Sequence, residues 1–167
     1  MRPENINSIE SESGIIASLI HNPEFAFYSE GLLPNHFTNE DNRYIYMAIC
    51  ELAKRGIMRV DAYNIMECLN ATKAARKYVE KLSVESLNEL IGMSDILARN
   101  TIEEYKMLVE NVTDAAFRRD AYVKLQKCQE LCCDRSQSDI EQEIYNIVDD
   151  VMMEFSTTNE IPQYKDV

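Results

Sequence analysis

Two consecutive stretches decide the fold: TIEEYKMLVENVTDAAFRRDAYVKLQKCQELCC, residues 101–133, and SDIEQEIYNIVDDVMMEF, residues 138–155. The first opens on Thr101 with Glu104 three residues on, a pairing that satisfies free backbone amides at a helix start. Ile102, Tyr105, Val109, Val112 and Ala116 recur three and four apart. The stripe then shifts by one residue to Phe117, Ala121, Leu125, Cys128 and Cys132. A helix of this length spans roughly 50 Å at 1.5 Å per residue. The second stretch is capped by Ser138 with Glu141, and its inward face is Ile140, Ile144, Ile147, Val148, Val151 and Phe155. Only the polar segment Asp134-Arg135-Ser136-Gln137 separates the two, so they fold back as an antiparallel hairpin.

Each helix can hide one apolar stripe against the other. Tyr122, Val123, Leu131, Tyr145, Met152 and Met153 lie off that seam. Fully burying a side chain of this size is worth about 1.5–3 kcal/mol, and several left bare make a larger apolar patch than monomers usually carry. Two outcomes stay open: the rest of the chain folds over them, or another copy does. With Phe117 added, the residues expected to carry self-association are Phe117, Tyr122, Val123, Leu131, Tyr145 and Met152.

Upstream of the hairpin the pattern is again helical. Asn7 with Glu10 reads as a helix start, and Ile9, Ile15, Ile16, Leu19 and Ile20 supply an apolar face. Asn22-Pro23-Glu24 restarts a helix that stops near Gly31. After the Pro34 elbow, Asn39 caps a helix through Arg55, with Gly56 as its stop. Asp61 caps a shorter helix. A helix or helix pair covers residues 72–91 until Gly92 interrupts it, and Met93 to Asn100 reads as a junction. The expected organisation is all-α, a compact bundle over residues 1–95 and the hairpin over 96–155. Residues 156–167 are a polar linker containing Pro162.

Composition narrows the chemistry. The 167-residue chain has a net charge of −12, which argues against a free-standing nucleic-acid binder, since phosphate neutralisation needs clustered Lys and Arg. One local exception exists. Lys73, Lys77 and Lys81 fall four apart with Arg76 beside them, a strip that is either a solvated helix face or a docking strip for an acidic partner or DNA. Five cysteines, an odd number without Cys-x-x-Cys spacing, suit neither a disulfide framework nor a structural zinc site. No run is long and apolar enough to span a bilayer, and no secretory leader opens the chain, so it reads as cytoplasmic.

Catalytic machinery is missing from the pattern. Gly14, Gly31, Gly56 and Gly92 are isolated and cradle no phosphate. The Glu-x-x-His pairs of di-iron bundles do not occur. Neither His21 nor His36 stands in a recognisable Ser-His or Cys-His catalytic pattern. No catalytic, cofactor-binding or metal-ligating residue is assigned.

A series of short motifs, in order, resembles the N-terminal domain of DnaB-type replicative DNA helicases. It begins with Pro3-x-Asn5-Ile6-x-x-Ile9-Glu10-x-Glu12, then Leu19-Ile20-x-x-Pro23-Glu24 and Leu33-Pro34-x-x-Phe37 with Arg43. It continues through Gly56, Asp61, Tyr78-Val79-x-x-Leu82, Ala98-Arg99-Asn100 and the Arg118-Arg119 pair, and ends at Ile161-Pro162-x-x-x-Asp166-Val167. Two extra residues after Ile6, Ala74-Ala75 in place of Gly-Gly and a longer interval between Leu82 and Asn100 suggest a divergent member, of the kind carried by phages or mobile elements. The resemblance implies a collar domain of a hexameric helicase, non-catalytic in itself. ATP and Mg would belong to the motor domain of a longer parent. Implied partners are other copies of the chain (a dimer in isolation, a hexamer in the parent), primase and a helicase loader, with DNA contact through this domain weak or absent and no membrane. The rival readings are the helicase-binding C-terminal domain of a primase and an unrelated acidic helical adaptor.

Overall fold

The computed structural model describes residues 2–134, 136 and 138–160. They form two compact units, one of residues 8–112 and one of residues 2–7 with 113–160. Among the described residues the regular structure is entirely helical: α1 Ile9–His21, α2 Glu40–Lys54, α3 Ala62–Asn70, α4 Arg76–Val79, α5 Val84–Leu97, α6 Ile102–Cys133 and α7 Ile140–Glu160, with short 3₁₀ turns between.

In the unit of residues 8–112 the start signals act as their chemistry dictates. Asn39 and Asp61 accept the amides of Asn42 and Asn64 at 3.0 and 2.8 Å, and Thr101 accepts that of Glu104 at 3.2 Å. The α2 stop is equally local. Gly56 sits at φ 76, its amide donates to the Ala53 carbonyl, and the Ile57 amide reaches back to the Leu52 carbonyl at 2.9 Å. That is a complete Schellman closure, which needs a left-handed residue at this position. Ile15, Leu19, Ile45, Ile49, Ile65, Leu69 and Leu87 make a common core. Tyr105 is fully buried in it, tilted against Phe25 with ring centroids 5.3 Å apart, and its hydroxyl bonds to Ser29.

Glu12 is the least expected member of this core. Its carboxylate is 1% exposed on α1, yet no cation pairs with it among the described residues. One oxygen accepts the amides of Thr38 and Asn39 at 2.9 and 3.1 Å, and the other accepts the Thr38 hydroxyl at 2.6 Å. The charge is therefore held by three donors at the start of α2, the arrangement that makes a buried carboxylate tolerable.

Several expectations are corrected. The first helix begins at Ile9 with Ser8, not Asn7, at its cap position, and the Ser8 side chain makes no capping bond. Gly92 does not interrupt α5: a Cβ there would meet nothing within 4 Å, so no close approach demands glycine, and the helix runs on through the supposed junction to Leu97. The division expected between residues 95 and 96 is not where the units part. Tyr105, Leu108, Val109 and Val112 on α6 are buried in the first core, so that unit extends through Val112. The α7 backbone continues past Phe155 to Glu160, taking in the start of the expected linker 156–167, whose remainder lies outside the described residues.

A candidate self-association face on the helical hairpin

In the unit of residues 2–7 and 113–160, α6 and α7 run antiparallel. Phe117 meets Phe155 edge-on at 5.2 Å, and Cys128 and Leu131 pack with Ile147, Ile140 and Ile144 towards the connection. The seam positions are thus Ala121, Lys124, Cys128 and Leu131 on α6, and Ile140, Ile144, Ile147 and Val151 on α7. Two motifs far apart in sequence meet beside it. The Pro3–Asn5 turn leaves the Ile6 carbonyl facing Arg119, whose Nη1 donates to it at 2.8 Å. Arg118, one residue earlier, instead pairs with Asp114 on its own helix at 2.8 Å.

Helix geometry fixes what lies on each flank of this seam. One residue further along a helix is a turn of about 100°, and antiparallel partners rotate in opposite senses, so the +1 positions of both fall on one flank. On that flank stand Tyr122 and Leu125 of α6 with Tyr145, Val148 and Met152 of α7, between 36% and 65% exposed. The −1 positions on the other flank are Asp120, Val123, Lys127 and Glu130 with Glu143, Asn146 and Asp150. The first flank is mainly apolar and open, interrupted by Gln129, Cys132 and Glu141; the other is mainly charged.

The expected interface residues accordingly divide. Tyr122, Tyr145 and Met152 stand on the apolar flank. Val123, 47% exposed, stands on the charged one. Leu131 is buried, a correction: after Cys128 the helix places either Leu131 or Cys132 near the seam, and the structure turns Leu131 inward. Phe117 is half-buried against Phe155. Leu125 and Val148, expected inward, are open and extend the apolar flank.

Other candidates resolve differently. Lys73, Arg76, Lys77 and Lys81 are all exposed but do not share one helix face. A 3₁₀ turn over Lys73–Ala75 leads into the four-residue α4, because Ala75 and Tyr78 are drawn inward. Tyr78 stacks on Tyr44 at 4.4 Å and donates to Asp41 at 2.7 Å. Cys128 is buried while Cys132, one turn on, is exposed, and no cluster of potential metal ligands occurs among the described residues.

One trio escaped the sequence because His21 lies more than 70 residues before the adjacent Ser94 and Asp95. His21 Nε2 is 2.9 Å from both Ser94 Oγ and Asp95 Oδ1. Ser94 spends its hydroxyl hydrogen on the Ile91 carbonyl at 2.6 Å, so it accepts from the same ring nitrogen that faces Asp95. A nucleophile needs a base nitrogen free to take its proton and a separate orienting partner. This geometry supplies neither and instead pins α1 to α5.

Comparison with known proteins agrees with the fold. No curated protein matches the chain. It is similar to the N-terminal domain of DnaB helicase from Mycobacterium tuberculosis, with a TM-score of 0.67 over 90% of this chain and 99% of the other, at 16% identity. A family model described as the DnaB-like helicase N-terminal domain matches residues 4–115, the stretch that carries all but the first residue of the Pro3-to-Glu12 motif, the Pro34 elbow and the Glu12 clamp. The chain therefore belongs to the DnaB-like helicase N-terminal domain family.

Proposed function

We propose that this chain is a non-catalytic collar domain of a hexameric replicative helicase, in which copies pair through the apolar flank of the hairpin and the assembled collar docks primase or a helicase loader in the cytoplasm. Family membership supports the helicase setting. The observation that carries the pairing is the second apolar stripe, Tyr122 and Leu125 with Tyr145, Val148 and Met152, left open by the hairpin's own seam. Five such side chains on one flank exceed the scattered apolar exposure normal for a monomer surface. In this reading ATP and Mg act only in the motor of the parent helicase.

Sedimentation tests it. The chain is expected to populate a dimer at micromolar concentration. Leu125→Asp with Tyr145→Asp should shift it to monomer with an unchanged helical circular dichroism spectrum. Val123→Asp, on the charged flank, should leave the dimer intact. A strict monomer at high concentration, or equal disruption by Val123→Asp, would overturn the pairing. Primase and loader docking is tested separately, by pull-down of each with the purified chain.

A further inference from the structure

The unit of residues 8–112 has an open surface of its own, unrelated to the hairpin. Between α1 and α5 lies a recess of about 310 Å³, walled by Ile16, Ala17, Leu90, Met93 and Leu97. At its rim the apolar surface continues outward, since Met93 is 66% and Ile96 78% exposed. Long side chains this bare, on a helix whose inward face already holds Leu87 and Ser94, are not needed for the core.

Two further features say what would seat there. Asn42 lines the recess while only 6% exposed, and its side-chain amide makes no hydrogen bond among the described residues. The amide is not sealed from solvent, so it faces the open recess, and its donor and acceptor match a peptide backbone group. The charge is one-sided as well. α5 carries Glu85, Glu89 and Asp95 with no Lys or Arg, and Glu89 lines the recess.

We propose that the α1–α5 recess is a docking groove for an amphipathic peptide segment of a partner protein, with apolar anchors on the Met93–Leu97 wall, a backbone group on the Asn42 amide and basic flanks against Glu85 and Glu89. A polarizable methionine at the lip adapts to anchors of different shape, as open helix-binding grooves require. The segment is distinct from whatever meets the hairpin, and neither reading depends on the other.

The test uses a synthetic 14-residue Leu/Lys amphipathic peptide and its Leu/Glu counterpart, titrated into the whole isotope-labelled chain. The basic peptide should move the Asn42 side-chain amide and the Met93, Ile96 and Leu97 methyl signals saturably. The acidic peptide should bind at least roughly tenfold more weakly, since like charges at the rim disfavour it. Met93→Ser with Ile96→Ser, both outside the core, should weaken the basic peptide by about tenfold or more through lost apolar burial. Three results would overturn the assignment: shifts confined to residues outside the groove, equal binding of both peptides, or a double variant that binds as before. A fall in the sedimentation mass of that variant would also overturn it, because a second copy would then be the occupant.

Discussion

Replacing Glu12 separates two accounts of a buried charge. In Glu12→Ala the amides of Thr38 and Asn39 and the Thr38 hydroxyl all lose their acceptor inside a site that is 1% exposed. An unsatisfied buried donor costs about 1–3 kcal/mol. Two stranded amides plus the hydroxyl, which can turn elsewhere, put the loss at about 3–5 kcal/mol, a large part of the 5–15 kcal/mol that holds a domain together. Glu12→Gln removes the same charge but keeps the same shape. Its Oε1 accepts both amides as before, while its amide nitrogen donates to Thr38 Oγ once the hydroxyl hydrogen has turned away. Only the extra strength of charge-assisted bonds is lost, about 1 kcal/mol. Urea unfolding followed by circular dichroism reads both variants as shifts in midpoint at constant slope. If Gln proves as damaging as Ala, the charge itself and not the satisfaction of the three donors holds α1 to the start of α2. If Ala costs under about 1 kcal/mol, the clamp is dispensable and the reasoning fails.

Gly56→Ala should destabilise by about 1–2 kcal/mol, because a Cβ at φ 76 is penalised although nothing crowds the site; thermal or urea unfolding measures it, and a neutral result would refute the closure. Cys132 and Cys133 should react rapidly with a thiol reagent such as DTNB. The half-buried Cys50, whose thiol burial pushes upward, should react more slowly than these two, and the buried Cys68 and Cys128 only as fast as the chain opens. Burial raises the phenols of Tyr46, Tyr78 and Tyr105 above the ordinary tyrosine value, with the Asp41 carboxylate adding to it at Tyr78. Below about pH 10 both folded and unfolded chains keep these protons; above it only the unfolded chain releases them, so stability falls as pH rises. Ultraviolet titration of the nine tyrosines should therefore show three that ionise only together with unfolding.

Features with a local cause were legible in the sequence, and features with a distant cause were not. Asn39, Asp61, Thr101 and Gly56 act within a few residues of themselves, so residue type and spacing suffice to place them. Gly92 misled because glycine only permits a break, and a helix whose Leu87 and Ser94 are held inward passes through it. The α6 seam failed at two steps, since Lys124 stands where Leu125 was expected and Leu131 where Cys132 was. After Cys128 both three- and four-residue spacings are helical, and only the facing Ile140, Ile144 and Ile147 select Leu131 over Cys132. Glu12 looks like any first-turn acid until Thr38 and Asn39, 26 and 27 residues later, close on it. The antiparallel hairpin was readable, and with it the existence of a second apolar stripe. Which flank carries that stripe required the seam.

The bond from Arg119 to the Ile6 carbonyl has a consequence for synthesis. Its two ends are 113 residues apart, so at about 5–20 residues per second the ribosome needs roughly 6–23 seconds to deliver the guanidinium after the carbonyl has emerged. During that interval residues 8–112 can already close around Tyr105 and Val112, while the segment before them waits without its anchor. Residues 2–7 are thus among the last parts of the domain to be fastened, and a nascent chain stalled short of Arg119 should leave them open to a protease that the finished domain resists.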